Sequence, residues 1–209
     1  RELPRVDSRQ RQMCIRDRGW MSKTYGSNLA SLPEGHFDSP LGESSGAADI
    51  FGTTGGVMEA ALRMAVEAIT GAPPSAMEFT EVRAVEGLRE RELKVNDELT
   101  LSVGVANGLT NAKILLDEVL AGEKKFHIIE IMACPGGCIG GGGQPLHRGD
   151  SIVLKARMQA IYKEDLNKVI RKSHENPEIA RLYEEFLGKP LSEMSHKLLH
   201  THYFSHPKK

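Results

Sequence analysis

Residues 99–106 read L-T-L-S-V-G-V-A and residues 125–132 read K-F-H-I-I-E-I-M, with a helical stretch at 111–120 between them. Both flanking runs are strand-length and rich in β-branched residues. Asn111 offers a cap to the helix and Gly122 a stop. Strand, helix and strand with short connections form a βαβ unit, so the two strands are predicted to be parallel neighbours with a right-handed crossover. In α/β sheets, ligands gather at loops leaving the carboxyl ends of strands. The loop leaving the second strand here is M-A-C-P-G-G-C-I-G-G-G-G-Q-P, residues 132–145.

Upstream, E-F-T-E-V-R-A-V at 78–85 reads as a further strand. Before it, residues 57–70 are predicted helical and stopped by Gly71 and Pro73-Pro74. Val57, Met58, Ala61, Leu62, Ala65 and Ile69 recur at helical spacing, and Glu59 and Arg63 form an i, i+4 pair expected on the wet side. Residues 31–56 are loop-rich. Downstream, helices are expected at 151–165, at 177–187 and at 192–200; the second has Asn176 as cap, Pro177 at its first position and Gly188 as stop. The fold class is α/β: parallel strands with crossover helices, a cysteine- and Gly-rich loop at a strand end, and a helical C-terminal tail. Three units are expected: an artefactual or disordered leader at 1–28, a globular body at 29–150, and the helical tail at 151–209.

The 209 residues carry 27 basic and 28 acidic side chains, interspersed, for a net charge of −1. That balance argues against a nucleic acid or anionic membrane held by bulk electrostatics. No apolar run reaches the roughly 20 residues of a transmembrane helix. Arg-dense residues 1–18 have neither helical period nor a signal-peptide core, and Cys14 within them is not expected to be a ligand. The other two cysteines, Cys134 and Cys138, are no secreted disulfide framework, and a reducing interior fits them best.

Cys134 and Cys138 share their loop with Gly136, Gly137 and Gly140 through Gly143. Glycine lets backbone approach a bulky centre and leaves N–H groups free to donate to it. Soft thiolates select iron–sulfur clusters, zinc or copper(I). A plain hinge with inert thiols would lose much backbone entropy for six glycines in eight positions. A phosphate loop would need a Gly-Lys-Ser/Thr ending, and a zinc site two more ligands at finger spacing; neither is present. An iron–sulfur ligand loop accounts for thiols and glycines together.

Residues 132–145 resemble the signature of iron-only (diiron) hydrogenases, M-A-C-P-G-G-C followed by a glycine run and Gln-Pro. The likeness extends to F-D-S-P-L-G-E-S-S-G-A-A-D-I-F-G-T-T-G-G-V-M-E-A-A-L-R at 37–63, and to R-K-S-H-E-N-P at 171–177 and S-H-K-L-L-H-T-H-Y at 195–203 in the tail. The tail resembles a segment also found in the family as a separate small subunit. The resemblance implies a four-iron four-sulfur cluster held by four cysteines and bridged by one thiolate to a diiron subsite that oxidises H₂ or reduces protons. Cys134 matches the third of these cysteines and Cys138 the fourth, the bridging one. Met132 matches a methionine beside the diiron subsite, and Phe51 another apolar wall residue. Implied partners are ferredoxin or a nicotinamide-linked flavin subunit, with further iron–sulfur clusters in the missing N-terminal part or in partner subunits. A cytoplasmic location is implied.

Two family segments, T-S-C-C-P and M-P-C-x-x-K-x-x-E, do not occur in this chain. A cubane takes four protein ligands. The chain alone is therefore not expected to complete the site or turn over hydrogen. A non-catalytic iron–sulfur or sensory relative and a thiol–disulfide module are the alternatives. His196, His200 and His202 read as a polar helix end, and His174 with Glu175 as helix-entry chemistry. His127 reads as a satisfied strand histidine, and Glu130 as an ion-pair partner.

Overall fold

The structure, a computed structural model, describes residues 19–35, 43–74, 76–202 and 204. Cys14 and most of the leader lie outside the described residues; of the leader's remainder, residues 19–24 are helical.

The body is built from α1 (Gly46–Ile50), α2 (Gly56–Thr70), β1 (Gly87–Lys94), β2 (Thr100–Asn107), α3 (Leu109–Leu120) and β3 (Ile128–Met132). The tail supplies α4 (Ser151–Asn167), α5 (Pro177–Leu182), a π-helical turn (Tyr183–Leu187) and α6 (Glu193–Leu199). The sheet order is β1-β2-β3. β2 and β3 pair in parallel, Val103 opposite Ile128 and Asn107 opposite Met132, with α3 as the crossover. The βαβ reading holds.

β2 is central and covered on both faces. Leu101, Val103 and Val105 point to one side and meet Met58 and Leu62 of α2 with Val82. On the other side Gly104 gives room to α3: a Cβ there would lie 3.3 Å from a Leu115 methyl. α2 in turn has a second face, where Ala60 packs with Ala47, Ile50 and Tyr162 of α4. The layers are thus α3, sheet, α2 and α4.

Three expectations fail at the level of elements. Residues 78–85 are no strand: Thr80–Val82 form a 3-10 turn that drops Val82 into the core. The strand is the charged G-L-R-E-R-E-L-K, antiparallel to β2. It is an edge strand with one edge in solvent, where charges are tolerated and guard against further pairing. α3 begins two residues early, after Gly108, and Asn111 does not cap it; its Nδ2 donates to the Asn107 carbonyl at 2.6 Å.

The third failure concerns Glu59 and Arg63, which are 0% exposed. α2 is sandwiched between the sheet and the tail, so it has no wet side at this level. Arg63 donates to Glu59 at 2.9 Å and to both Asp165 oxygens at 2.8 Å, and to the carbonyls of Met77 and Arg171. Asp165 also accepts from Arg171, and Glu59 from Arg83, whose guanidinium stacks 3.7 Å above the Tyr162 ring. Burial drives the Asp165 pKa up, but the Arg63 and Arg171 guanidiniums outweigh it and hold the carboxyl below its usual range. Gly46 closes the joint: a Cβ there would sit 2.0 Å from Asp165 Oδ1.

Candidate functional site around the cysteine loop

β3 ends at Met132, whose carbonyl accepts from Gly108 N at 2.7 Å. The chain then turns away from the sheet as the cysteine loop. Gly137 N donates to Cys134 O at 2.9 Å, Cys138–Gly140 form a single 3-10 turn, and Gly141 N donates to Cys138 O at 3.0 Å. Both cysteines are free and exposed.

The loop is held from three directions. From α1 and the turn that follows it, Thr54 N donates to Gly136 O and Gly52 O accepts from Ile139 N, at 3.0 and 3.1 Å. From the sheet, buried Asn107 donates to Cys134 O at 2.7 Å and to Thr54 Oγ1 at 2.9 Å. From the tail, Arg157 donates to Ile139 O and to Pro145 O, each at 2.7 Å. Ile139 is buried beneath the turn, and its side chain and that of Leu154 both come within 3.6 Å of where a Gly136 Cβ would stand.

This anchoring explains part of the glycine run without any ligand. At Gly137, with φ +92°, a Cβ would lie 2.8 Å from Thr54 N and 2.9 Å from Gly52 O. At Gly140 it would lie 2.0 Å from Pro135 O. These two glycines serve close backbone approach within the protein. Gly141 differs, since the nearest atom to its Cβ position is Cys134 Sγ at 3.3 Å. Gly137→Ala is therefore expected to lower stability by about 2 kcal/mol or more, combining a disfavoured backbone region with a clash. Urea denaturation measures it, with Gly71→Ala as control; Gly71 has φ +71° but open space around it. Equal losses in the two variants would refute the close-approach account.

Glu130 is placed by β3 behind this loop, 7% exposed, and among the described residues it forms no ion pair. Its carboxylate accepts from Gly55 N at 2.6 Å and Met58 N at 2.7 Å. The N-cap of α2 is Gly55, which has no side chain to offer, so Glu130 caps the helix from the neighbouring strand. Burial raises its pKa, against the pull of those N–H donors, with Val57 N among them. Glu130→Ala should cost about 1–2 kcal/mol, the usual worth of a lost cap. Denaturation midpoints check it, and an unchanged midpoint would contradict the capping role. Sequence reading missed this because the capped amides lie 75 and 72 residues upstream.

The other candidate residues take up separate positions. Met132 is half-buried at the last ladder position of β3. Phe51, 45% exposed, follows α1 and borders a cavity of about 310 Å³ with Glu43, Ser45, Ala48, Ser173, Asn176 and Ile179, none of them from the cysteine loop. His196 and His200 stack with ring centroids 4.3 Å apart, and His202 lies 6.4 Å from His196. His174 contacts Glu67 at 3.0 Å beside the Lys172–Glu67 ion pair. His127, exposed, accepts from Ser102 N at 3.0 Å. Among the described residues, no three His, Cys, Asp or Glu side chains gather as a metal site.

Two free thiols on an anchored loop, with backbone pinned and Sγ atoms open, suit two corners of an iron–sulfur cluster. The donor set is soft and incomplete, so any further ligands would come from outside the described residues. No helix among the described residues is long and apolar enough to cross a membrane.

Residues 13–142 match the family model for the iron only hydrogenase large subunit, C-terminal domain, and residues 151–206 match that for the iron hydrogenase small subunit. The NADP-reducing hydrogenase subunit HndD of Solidesulfovibrio fructosivorans is 59% identical over 177 residues, covering 85% of this chain and 30% of the relative. A probable cytosolic Fe–S cluster assembly factor of Drosophila persimilis is 32% identical over 154 residues, covering 72% of this chain and 31% of its own length. A solved FeFe hydrogenase of Chlamydomonas reinhardtii superposes with a TM-score of 0.65 at 43% identity, covering 88% of this chain and 53% of that one. The chain thus spans about a third of these curated relatives and about half of the solved structure. Fold, anchored thiol loop and family matches agree over body and tail alike: this chain belongs to the iron-only hydrogenases, as a C-terminal piece of the large subunit continued by a small-subunit segment.

Proposed function

We propose that the chain is part of an enzyme that interconverts H₂ with protons and electrons, and that Cys134 and Cys138 hold its catalytic iron. The observation that carries this is the pair of free, exposed thiols on a loop pinned from sheet, turn and tail. In this reading both thiolates would hold a four-iron four-sulfur cluster, and Cys138 would also be the thiolate shared with a diiron subsite. When bound, that group would supply heterolytic cleavage of H₂ and storage of electrons. The protein's part is to hold two thiolates at fixed backbone positions. Met132 and Phe51 serve as apolar wall residues, limiting water beside the iron. Residues 29–150 form the catalytic body and 151–209 a small-subunit-like tail. The remaining ligands and further clusters belong to the rest of the polypeptide or to partner subunits. Electrons pass to ferredoxin or a nicotinamide-linked flavin subunit, in the cytoplasm.

A second reading is favoured by the likeness to an Fe–S assembly factor: a relative that binds iron–sulfur clusters without hydrogen chemistry. The two separate in one assay. The full-length polypeptide carrying this segment, matured anaerobically, is given H₂ and a viologen dye. The hydrogenase reading expects dye reduction that vanishes in Cys138→Ser. Iron-loaded protein that neither consumes nor evolves H₂ would support the second reading instead.

A further inference from the structure

We propose that Arg157 is a positioning residue, through which the small-subunit segment holds the cysteine loop in register for metal binding; its ligand part rests on the reading of Cys138 above. α4 presents two side chains to the loop at i, i+3 spacing. Leu154 lies beneath it, its Cδ2 3.0 Å from where a Gly140 Cβ would stand and 3.6 Å from that of Gly136. Arg157 reaches around it and donates Nη1 to Ile139 O and Nη2 to Pro145 O. Ile139 follows Cys138 directly, and Pro145 lies two residues beyond Gly143, the last of the glycine run. The fork therefore closes the Gly140–Gly143 stretch at both ends. Left alone, four consecutive glycines have the largest conformational entropy of any backbone.

Arg157 is not drawn there by a carboxylate: among the described residues it forms no ion pair and donates only to these two carbonyls. A planar guanidinium can serve two carbonyls in fixed geometry, where an ammonium is a single point donor. The clamp also joins two units that separate family models match, one ending at residue 142 and the other starting at 151. Docking of the tail and order in the thiol loop are then one event.

Hydrogen exchange on this chain tests the clamp directly. The amides of Ile139, Gly140 and Gly141 are all hydrogen-bonded, to Gly52, Gly137 and Cys138. A hydrogen bond to a charged group carries net stabilisation that corresponds to about tenfold or more in opening. Arg157→Met should speed exchange at these amides by at least about tenfold, leaving β2 amides within about twofold. Arg157→Lys should fall between. Unchanged exchange at 139–141 overturns the proposal, and so does a rise shared equally by β2, which would mark Arg157 as a general structural residue. Cobalt(II) is the metal probe: the thiolate-to-cobalt absorption should titrate at higher cobalt in Arg157→Met than in wild type, and identical curves overturn the role toward metal. Wild-type chain that shows no such absorption contradicts the ligand reading of Cys138, while the exchange result still decides the clamp.

Discussion

Arg63→Ala should lower the stability of this chain by about 3 kcal/mol, the lower end of the cost of breaking a buried ion pair. Arg63 is fully buried, and its guanidinium faces Glu59, Asp165 and two carbonyls. Removing it takes one guanidinium partner from each of two carboxylates that are themselves buried. The loss stays at the lower end because Glu59 keeps Arg83 and Asp165 keeps Arg171. Urea denaturation at neutral pH measures it. Arg89→Ala, on the exposed side of the β1 edge strand, is the control and should fall within about 0.5 kcal/mol of wild type.

The same variant makes a statement about pH. Asp165 has a folded-state pKa held below its unfolded value, so its stabilisation is present above the usual carboxylate range. It is lost as pH falls through the lowered folded pKa. The gap between wild type and Arg63→Ala should therefore narrow steadily as the medium is acidified below about pH 4. A gap independent of pH would mean that Arg63 acts by packing alone.

The second large effect belongs to the thiols. Cys134→Ser and Cys138→Ser should each weaken binding of a thiophilic metal by more than the roughly 10–100-fold typical of losing an outer-shell partner. Both residues are exposed, so stability should move by no more than about 0.5 kcal/mol. Metal loss without stability loss separates a ligand from a structural thiol. Isothermal metal titration alongside denaturation of the same two variants provides the comparison; equal metal affinity in wild type and both variants would remove the site.

The βαβ unit was legible because two independent signals coincide: β-branched runs at 99–106 and 125–132, and an amphipathic stretch between them. The thiol loop was legible for a similar reason, since Cys134, Cys138 and the glycine run sit at a strand end. What sequence reading got wrong begins with the surroundings of α2. A local pattern is read against water, but α2 faces protein on two sides. The pair Glu59 and Arg63 has the ordinary look of a solvated i, i+4 bridge, and only the tail, 102 residues from Arg63 to Asp165, turns it into a buried network. The β1 error mirrors this. E-F-T-E-V-R-A-V has strand composition yet carries Val82 into the core on a turn, while the charged G-L-R-E-R-E-L-K pairs because an edge strand needs little apolar surface. Glu130 and Arg157 were invisible for a third reason: each acts on a backbone amide or carbonyl, a target that every sequence contains.

The central claim is that Cys134 and Cys138 together hold iron, and anaerobic loading of this chain with ferrous iron and sulfide tests it most directly. A small thiol is supplied to fill the open ligand positions, and bound iron, acid-labile sulfide and the electron paramagnetic resonance of the reduced sample are read. The account predicts an iron–sulfur centre in the wild-type chain that is lost in Cys134→Ser and in Cys138→Ser singly. Iron and sulfide retained undiminished in both serine variants, or absent from the wild-type chain, would contradict it.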